Sequence, residues 1–107
     1  MTAMHRGEIW LANVDPTVGS EIQKTRPCVV LSPEEMGYLR TVIVAPMTTG
    51  NRAAPFRIEV AFQEKQGLIL LDQIRTLDKL RLVKKLGILD PSTQLAMSSI
   101  LREMFEV

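Results

Sequence analysis

Three short stretches of this chain set polar side chains against apolar runs. The first is Gly19-Ser20-Glu21-Ile22-Gln23-Lys24-Thr25-Arg26-Pro27, a polar loop whose Arg26 stands immediately before the run Cys28-Val29-Val30-Leu31. The second is Pro46-Met47-Thr48-Thr49-Gly50, where hydroxyls and backbone amides follow Thr41 to Ala45. The third is Asp72-Gln73-Ile74-Arg75-Thr76, which follows Leu68-Ile69-Leu70-Leu71. Polar residues at the junction of a loop and a buried strand are held rigidly yet stay reachable. Singly, each stretch has an ordinary reading. Arg26 could be a solvated loop charge, Thr48-Thr49-Gly50 a turn, and Asp72 with Arg75 an ion pair. Together they supply a guanidinium, hydroxyls and a carboxylate at three strand ends, a set suited to stabilising charge on a phosphoryl group in its transition state.

What the chain lacks narrows the chemistry. His5 is the only histidine and lies near the start of the chain, so an acid–base pair of two histidines within one chain is excluded. No cluster of His, Cys and carboxylates has metal-ligand spacing, no phosphate-binding glycine loop occurs, and no serine stands in a nucleophile-elbow motif. Neither metal-assisted hydrolysis nor a covalent serine is favoured, and no cofactor is implied. RNA offers another route, because its own 2'-hydroxyl can attack the adjacent phosphorus if an enzyme positions it and neutralises the developing charge.

The elements that must position these groups are legible as period and punctuation. Glu8-Ile9-Trp10-Leu11-Ala12 reads as a first strand, closed by Asn13-Val14-Asp15-Pro16-Thr17-Val18-Gly19-Ser20 and a long loop to Pro27. Cys28 to Leu31 and Thr41 to Ala45 are continuous, largely β-branched runs of the kind buried on both faces, with Ser32-Pro33 and Pro46 at their ends. Phe56-Arg57-Ile58-Glu59-Val60 alternates, which puts Phe56, Ile58 and Val60 on a core face and leaves the other face wet. Gly67 introduces the strand Leu68 to Leu71. Leu77 to Leu82 allows a short helical turn, and Val83 to Leu89 a last strand. From Pro91 onward the pattern is helical: Asp90 or Ser92 can cap, and Met97, Ile100, Leu101, Met104 and Phe105 share a face. Five or six short strands with one terminal helix predict a mainly β (α+β) fold, a small antiparallel barrel-like sheet, since too few helices exist to connect parallel strands.

Composition agrees with one soluble domain over residues 1–107. The 107 residues are 46% hydrophobic and 23% charged, and the net charge of +1 gives no global field to draw in a polyanion, so any such contact must be local. Cys28, the single cysteine, lies in an apolar run and reads as core. No apolar stretch approaches the roughly 20 residues that span a bilayer, and the first residues lack the apolar centre of a signal peptide, which implies a cytoplasmic location.

One set of residues is familiar as a whole: Arg6-Gly7-Glu8-Ile9-Trp10, Asp15-Pro16-Thr17-Val18-Gly19-Ser20-Glu21, Arg26-Pro27-Cys28-Val29-Val30, Pro46-Met47-Thr48-Thr49 and Asp72-Gln73-Ile74-Arg75-Thr76. In this collinear set, which covers almost the whole length, the chain resembles the MazF/PemK family of toxins from type II toxin–antitoxin pairs. The resemblance implies an SH3-like barrel of twisted antiparallel strands with a C-terminal helix, a homodimer, a cognate antitoxin as partner, and ribosome-independent cleavage of single-stranded RNA. That RNA would be messenger RNA, with ribosomal or transfer RNA as alternatives.

By position, the resemblance implies that Arg26 and Thr48 act at the scissile phosphate. Arg26 would stabilise charge, its guanidinium being almost always protonated, and Thr48 would donate a hydrogen bond to a phosphate oxygen. Asp72 and Glu21 match acidic positions suited to holding RNA or accepting a proton, with the general base left open between them. Ser20, Gln23, Thr49, Gln73 and Arg75 complete the implied accessory set. Some branches of the family carry histidine where this chain has Ser20 and arginine where it has Leu70; this chain follows an Arg-Thr pattern. Two rivals remain at this level. A similar barrel that poisons DNA gyrase would depend on its C-terminal residues and need none of these groups. A noncatalytic RNA-binding barrel would want an aromatic-studded face, which Trp10, Tyr38 and three phenylalanines supply poorly.

Overall fold

The computed structural model describes residues 4–15, 19, 24–50 and 53–107. Among these, the strands are β1 (Glu8–Asn13), β2 (Thr25–Val30), β3 (Thr41–Thr48), β4 (Arg57–Phe62), β5 (Lys65–Leu70), β6 (Arg75–Asp78) and β7 (Leu82–Ile88), followed by helix α1 (Pro91–Phe105). They form one curled antiparallel sheet in the order β4-β5-β3-β2-β1-β7, with β6 paired to β3. The mainly β fold with one terminal helix is as the sequence predicts, with seven strands among the described residues rather than five or six.

Side-chain period builds two apolar clusters on opposite faces of the central strands. Ile9, Val29, Ala45, Met47 and Ile69 belong to one, which α1 covers with Met97 and, partly buried, Ile100, Leu101 and Met104. Ala12, Cys28, Val30, Val42, Val44 and Leu77 form the other. Neighbouring residues of β2 thus enter different clusters, which is why its run is apolar without alternation. Phe105 leaves the packed face of α1 and is 70% exposed. Asp90 occupies the N-cap position, but its carboxylate accepts from the hydroxyls of Ser92 and Thr93 instead of a backbone amide, and those bonds hold it below the usual carboxylate range.

Two prolines mark the bend that shapes the sheet. The sequence reading ends one strand at Pro46 and starts another after Pro27, whereas both residues lie within strands. The pairing of β2 with β3 covers only Cys28↔Pro46, Val29↔Ala45 and Val30↔Val44, so Thr25 to Pro27 pair with β1 alone. Past Pro46, β3 turns to β5 through Met47↔Ile69 and Thr48↔Leu68. Each proline lacks an amide donor and is tolerated where one ladder stops. The alternating strand also starts later than its pattern suggests. Phe56 is 39% exposed and takes a φ of 66° as the third residue of a turn closed by the Arg57 amide on the Ala54 carbonyl at 3.1 Å. Ile58, Val60 and Phe62 supply the core face instead.

β1 carries a buried carboxylate. Glu8, 4% exposed, accepts from Trp10 Nε1 at 3.0 Å and from Lys85 Nζ at 3.1 Å across to β7. Burial pushes its carboxyl up, but Trp10, Lys85 and a backbone hydrogen bond with His5 outweigh that and hold it below the usual carboxylate range. No helix among the described residues is long and apolar enough to cross a membrane.

Candidate active site

Two depressions flank the bend in β3. The first, about 200 Å³, is lined by Arg26 and Pro27 of β2, Met47 and Thr48 of β3, Thr49, and Val60, Phe62, Gln63, Lys65 and Gly67 of the β4–β5 hairpin. The second, about 480 Å³, is lined by Val14, Pro46, Asp72, Gln73, Ile74, Arg75 and Thr76. Arg26, Thr48 and Thr49 therefore share one depression, while Asp72, Gln73 and Arg75 share the other. Ser20, Glu21 and Gln23 lie outside the described residues.

Arg26 is an ordered strand residue, not the last residue of a loop. It pairs with Ala12, and its carbonyl accepts from Cys28 Sγ at 3.6 Å. Cys28 is fully buried, and burial pushes its thiol up to about 12. Thr48 is oriented by its own turn: its Oγ1 accepts the Gly50 amide at 3.2 Å, and the hydroxyl keeps its own hydrogen to donate. The Thr48 backbone is packed as closely. A Cβ at Gly67 would lie 2.9 Å from the Thr48 carbonyl oxygen, so only glycine lets β5 approach here.

The second depression is cross-braced by side chains. The ion pair that the sequence suggests between Asp72 and Arg75 does not form. Asp72 takes a two-point pair with Arg57 of β4, Nε to Oδ1 at 3.0 Å and Nη2 to Oδ2 at 2.8 Å, while Arg75 Nη1 donates to the Val14 carbonyl at 2.8 Å. The Arg57 hydrogen bond holds the Asp72 carboxyl below the usual carboxylate range, against burial, which pushes it up. Arg81 also donates to the carbonyls of Asn13 and Asp15. Two guanidiniums from β6 and the turn after it thus grip the end of β1 and the two residues that follow it. Leu70, in register with Arg57, is fully buried and directs nothing outward.

Arg57, Gln63, Lys65 and Arg81 escaped the sequence reading. Arg57 fell on the wet face of an alternating strand, where a charge needs no explanation. Gln63 and Lys65 sit in a hairpin tip with no glycine to announce it. Only the pairing Phe62↔Lys65 reveals a two-residue turn there, Gln63-Glu64, with Gln63 and Lys65 beside Arg26 and Thr48.

This geometry defines a class: a small curled antiparallel sheet with one terminal helix and an arginine–threonine pair at the mouth of its first hairpins. The chain belongs to the PemK-like, MazF-like toxins of type II toxin–antitoxin systems, whose family model matches residues 5–105. It is 39% identical over 105 residues to the endoribonuclease MazF of Staphylococcus epidermidis, covering 92% of this chain and 88% of that protein. It is also 39% identical over 81 residues to the endoribonuclease PemK of Escherichia coli, covering 70% and 61%. MazF from Deinococcus radiodurans shares the fold with a TM-score of 0.85 at 23% identity over the full length of both chains. A mycobacterial endoribonuclease solved in complex with its cognate antitoxin has a TM-score of 0.79 at 21% identity, covering 94% of this chain and 93% of that one.

Proposed function

We propose that this chain is the toxin of its pair and an endoribonuclease that cuts single-stranded RNA at short motifs, without the ribosome and without a metal ion. The observation that carries the reading is the meeting of Arg26 and Thr48 in one depression, with the Thr48 oxygen accepting the Gly50 amide and its hydroxyl hydrogen still free to be donated. The RNA's own 2'-hydroxyl attacks the phosphorus and the 5'-oxygen leaves. The guanidinium of Arg26 and the hydroxyl of Thr48 meet the charge gathering on the non-bridging oxygens. Products carry a 2',3'-cyclic phosphate and a free 5'-hydroxyl. Asp72, Gln73, Thr49 and Arg75 line the path of the strand on either side, and Ser20, Glu21 and Gln23, which precede Arg26 in the sequence, contribute to holding it.

The protein works as a homodimer in the cytoplasm, with an antitoxin as its regulatory partner. Exposed apolar side chains such as Leu80, Val83, Ile88, Leu95 and Phe105 support a covered surface in the assembly. The relatives named as endoribonucleases and the relative solved with an antitoxin support the same pairing here. The test is a long RNA incubated with purified protein in EDTA, with every new 5' end mapped. Discrete sites with 5'-hydroxyl ends are expected. Uncut RNA, or normal cutting of RNA methylated at the 2'-oxygen of the cut site, overturns the mechanism.

A further inference from the structure

The tip of the β4–β5 hairpin is built from the wrong residues for its turn. Phe62 pairs with Lys65, so Gln63 and Glu64 occupy both central positions, with φ of 51° and 64°. A two-residue turn with both φ positive favours Asn-Gly, because other L side chains crowd the backbone there. Packing gives no reason for the exception, since Gln63 and Glu64 are both exposed. Non-glycine residues kept in this conformation point to a use for the tip, and the lining of the depression shows which side chain serves it. Gln63 and Lys65 line the depression that holds Arg26 and Thr48, and Glu64 does not. The hairpin's base is locked to that site as well, through Thr48↔Leu68 and the close approach of Gly67 to the Thr48 carbonyl.

The chemistry of the tip separates it from phosphate handling. A phosphate offers only acceptors, which a guanidinium and a hydroxyl serve; a neutral carboxamide has a donor and an acceptor side by side and matches the edge of a base. Phe62, half-buried in the same depression, provides an aromatic surface, and single-stranded bases are read by stacking and edge hydrogen bonds. We propose that Gln63 is a specificity-determining residue that reads one base beside the scissile phosphate, with Phe62 against that base and Lys65 on the neighbouring phosphate. This rests on the endoribonuclease reading above.

Three variants test it: Glu64→Gly, Gln63→Asn with Glu64→Gly, and Gln63→Glu. Each is compared with wild type by mapping all cleavage sites in one long RNA and by thermal melting. Both glycine-bearing variants should melt higher, because glycine removes the crowding at a positive φ. Glu64→Gly should keep the wild-type sites. The double variant should lose discrimination at one motif position by roughly tenfold or more, because Asn draws the carboxamide back by one methylene from the base it must hydrogen-bond. Gln63→Glu, which keeps the length but replaces the donor, should shift the preferred base at that same position. Identical site patterns in all three variants overturn this inference alone, as does a blurred motif in Glu64→Gly. A wild-type protein that leaves RNA uncut overturns the proposed function, and this inference with it.

Discussion

The two depressions beside the β3 bend are built from similar side chains in opposite ways. In the second, the charged groups face inward on protein partners: Asp72 on Arg57, Arg75 on the Val14 carbonyl. In the first, Arg26, Thr48, Gln63 and Lys65 line the cavity and, among the described residues, three of positive φ lie beside it, against one, Phe56, next to Arg57 of the second. Lys24, Gln63 and Glu64 all have positive φ, two residues before Arg26 and at the hairpin tip. A left-handed non-glycine residue costs about 1–2 kcal/mol, whereas a well-formed ion pair costs little to keep. On the proposed reading, the first depression takes the reacting phosphate and the second is braced to hold the strand beside it, a division that residue types alone would have merged.

The comparison breaks first at Arg26. Arg26→Ala should lower cleavage by roughly a hundredfold or more with near-normal folding, since a preorganised donor acts mainly in the transition state. Arg26→Lys should recover little, because Lys lacks the planar fork that can hold two phosphate oxygens. Single-turnover cleavage rates and melting curves decide it, and a wild-type rate in Arg26→Ala moves the reactive site elsewhere. Thr48→Ala should cost less, about tenfold, as one lost hydrogen bond implies.

Gly67→Ala sharpens the claim that the working surface depends on a close backbone approach. The added methyl meets the Thr48 carbonyl, so stability should fall by about 1–3 kcal/mol in urea unfolding, with a parallel loss of cleavage. Unchanged stability would mean that β5 can retreat without cost.

On the bracing side, Arg57→Ala should reduce cleavage by less than about tenfold, as befits a partly exposed ion pair. It should raise the Asp72 carboxyl pKa, which NMR titration can follow. Because the folded-state pKa of Asp72 is depressed, its stabilising contribution is present above the unfolded carboxylate value and lost as pH falls through the folded one. The stability advantage of wild type over Arg57→Ala should therefore be full at neutral pH and shrink in acid. An advantage that stays constant into acid would refute the brace.

The smallest effect belongs to Cys28. With its thiol fully buried and pushed up to about 12, alkylation at pH 8 should be negligible until the protein unfolds. Rapid labelling of the folded protein would show that the β2 strand opens beneath Arg26.

Period and punctuation made most of the fold legible. β1 and α1 were readable within a few residues because their apolar spacing matches their geometry. Phe56 misled because alternation continues through a turn whose positive φ no residue type announces. Pro27 and Pro46 misled because a proline reads as a strand end wherever both ladders are assumed to continue. Within the candidate site, Arg26, Thr48 and Asp72 stood out as polar residues beside apolar runs, and nothing comparable marked Arg57 or Gln63.

By itself, then, the sequence determined the local elements, the two-sided burial of the central strands and the membership of the family, since these depend on the order of residue types along the chain. Tertiary structure decided the partnerships. Whether Asp72 meets Arg75, three residues away, or Arg57, fifteen residues away, depends on how β4 and β5 register, as Arg57↔Leu70. Whether Gln63 faces solvent or the Arg26 depression depends on where β3 bends at Pro46 to receive that hairpin. Both are long-range pairings, and local periodicity carries no information about which strand will be the neighbour.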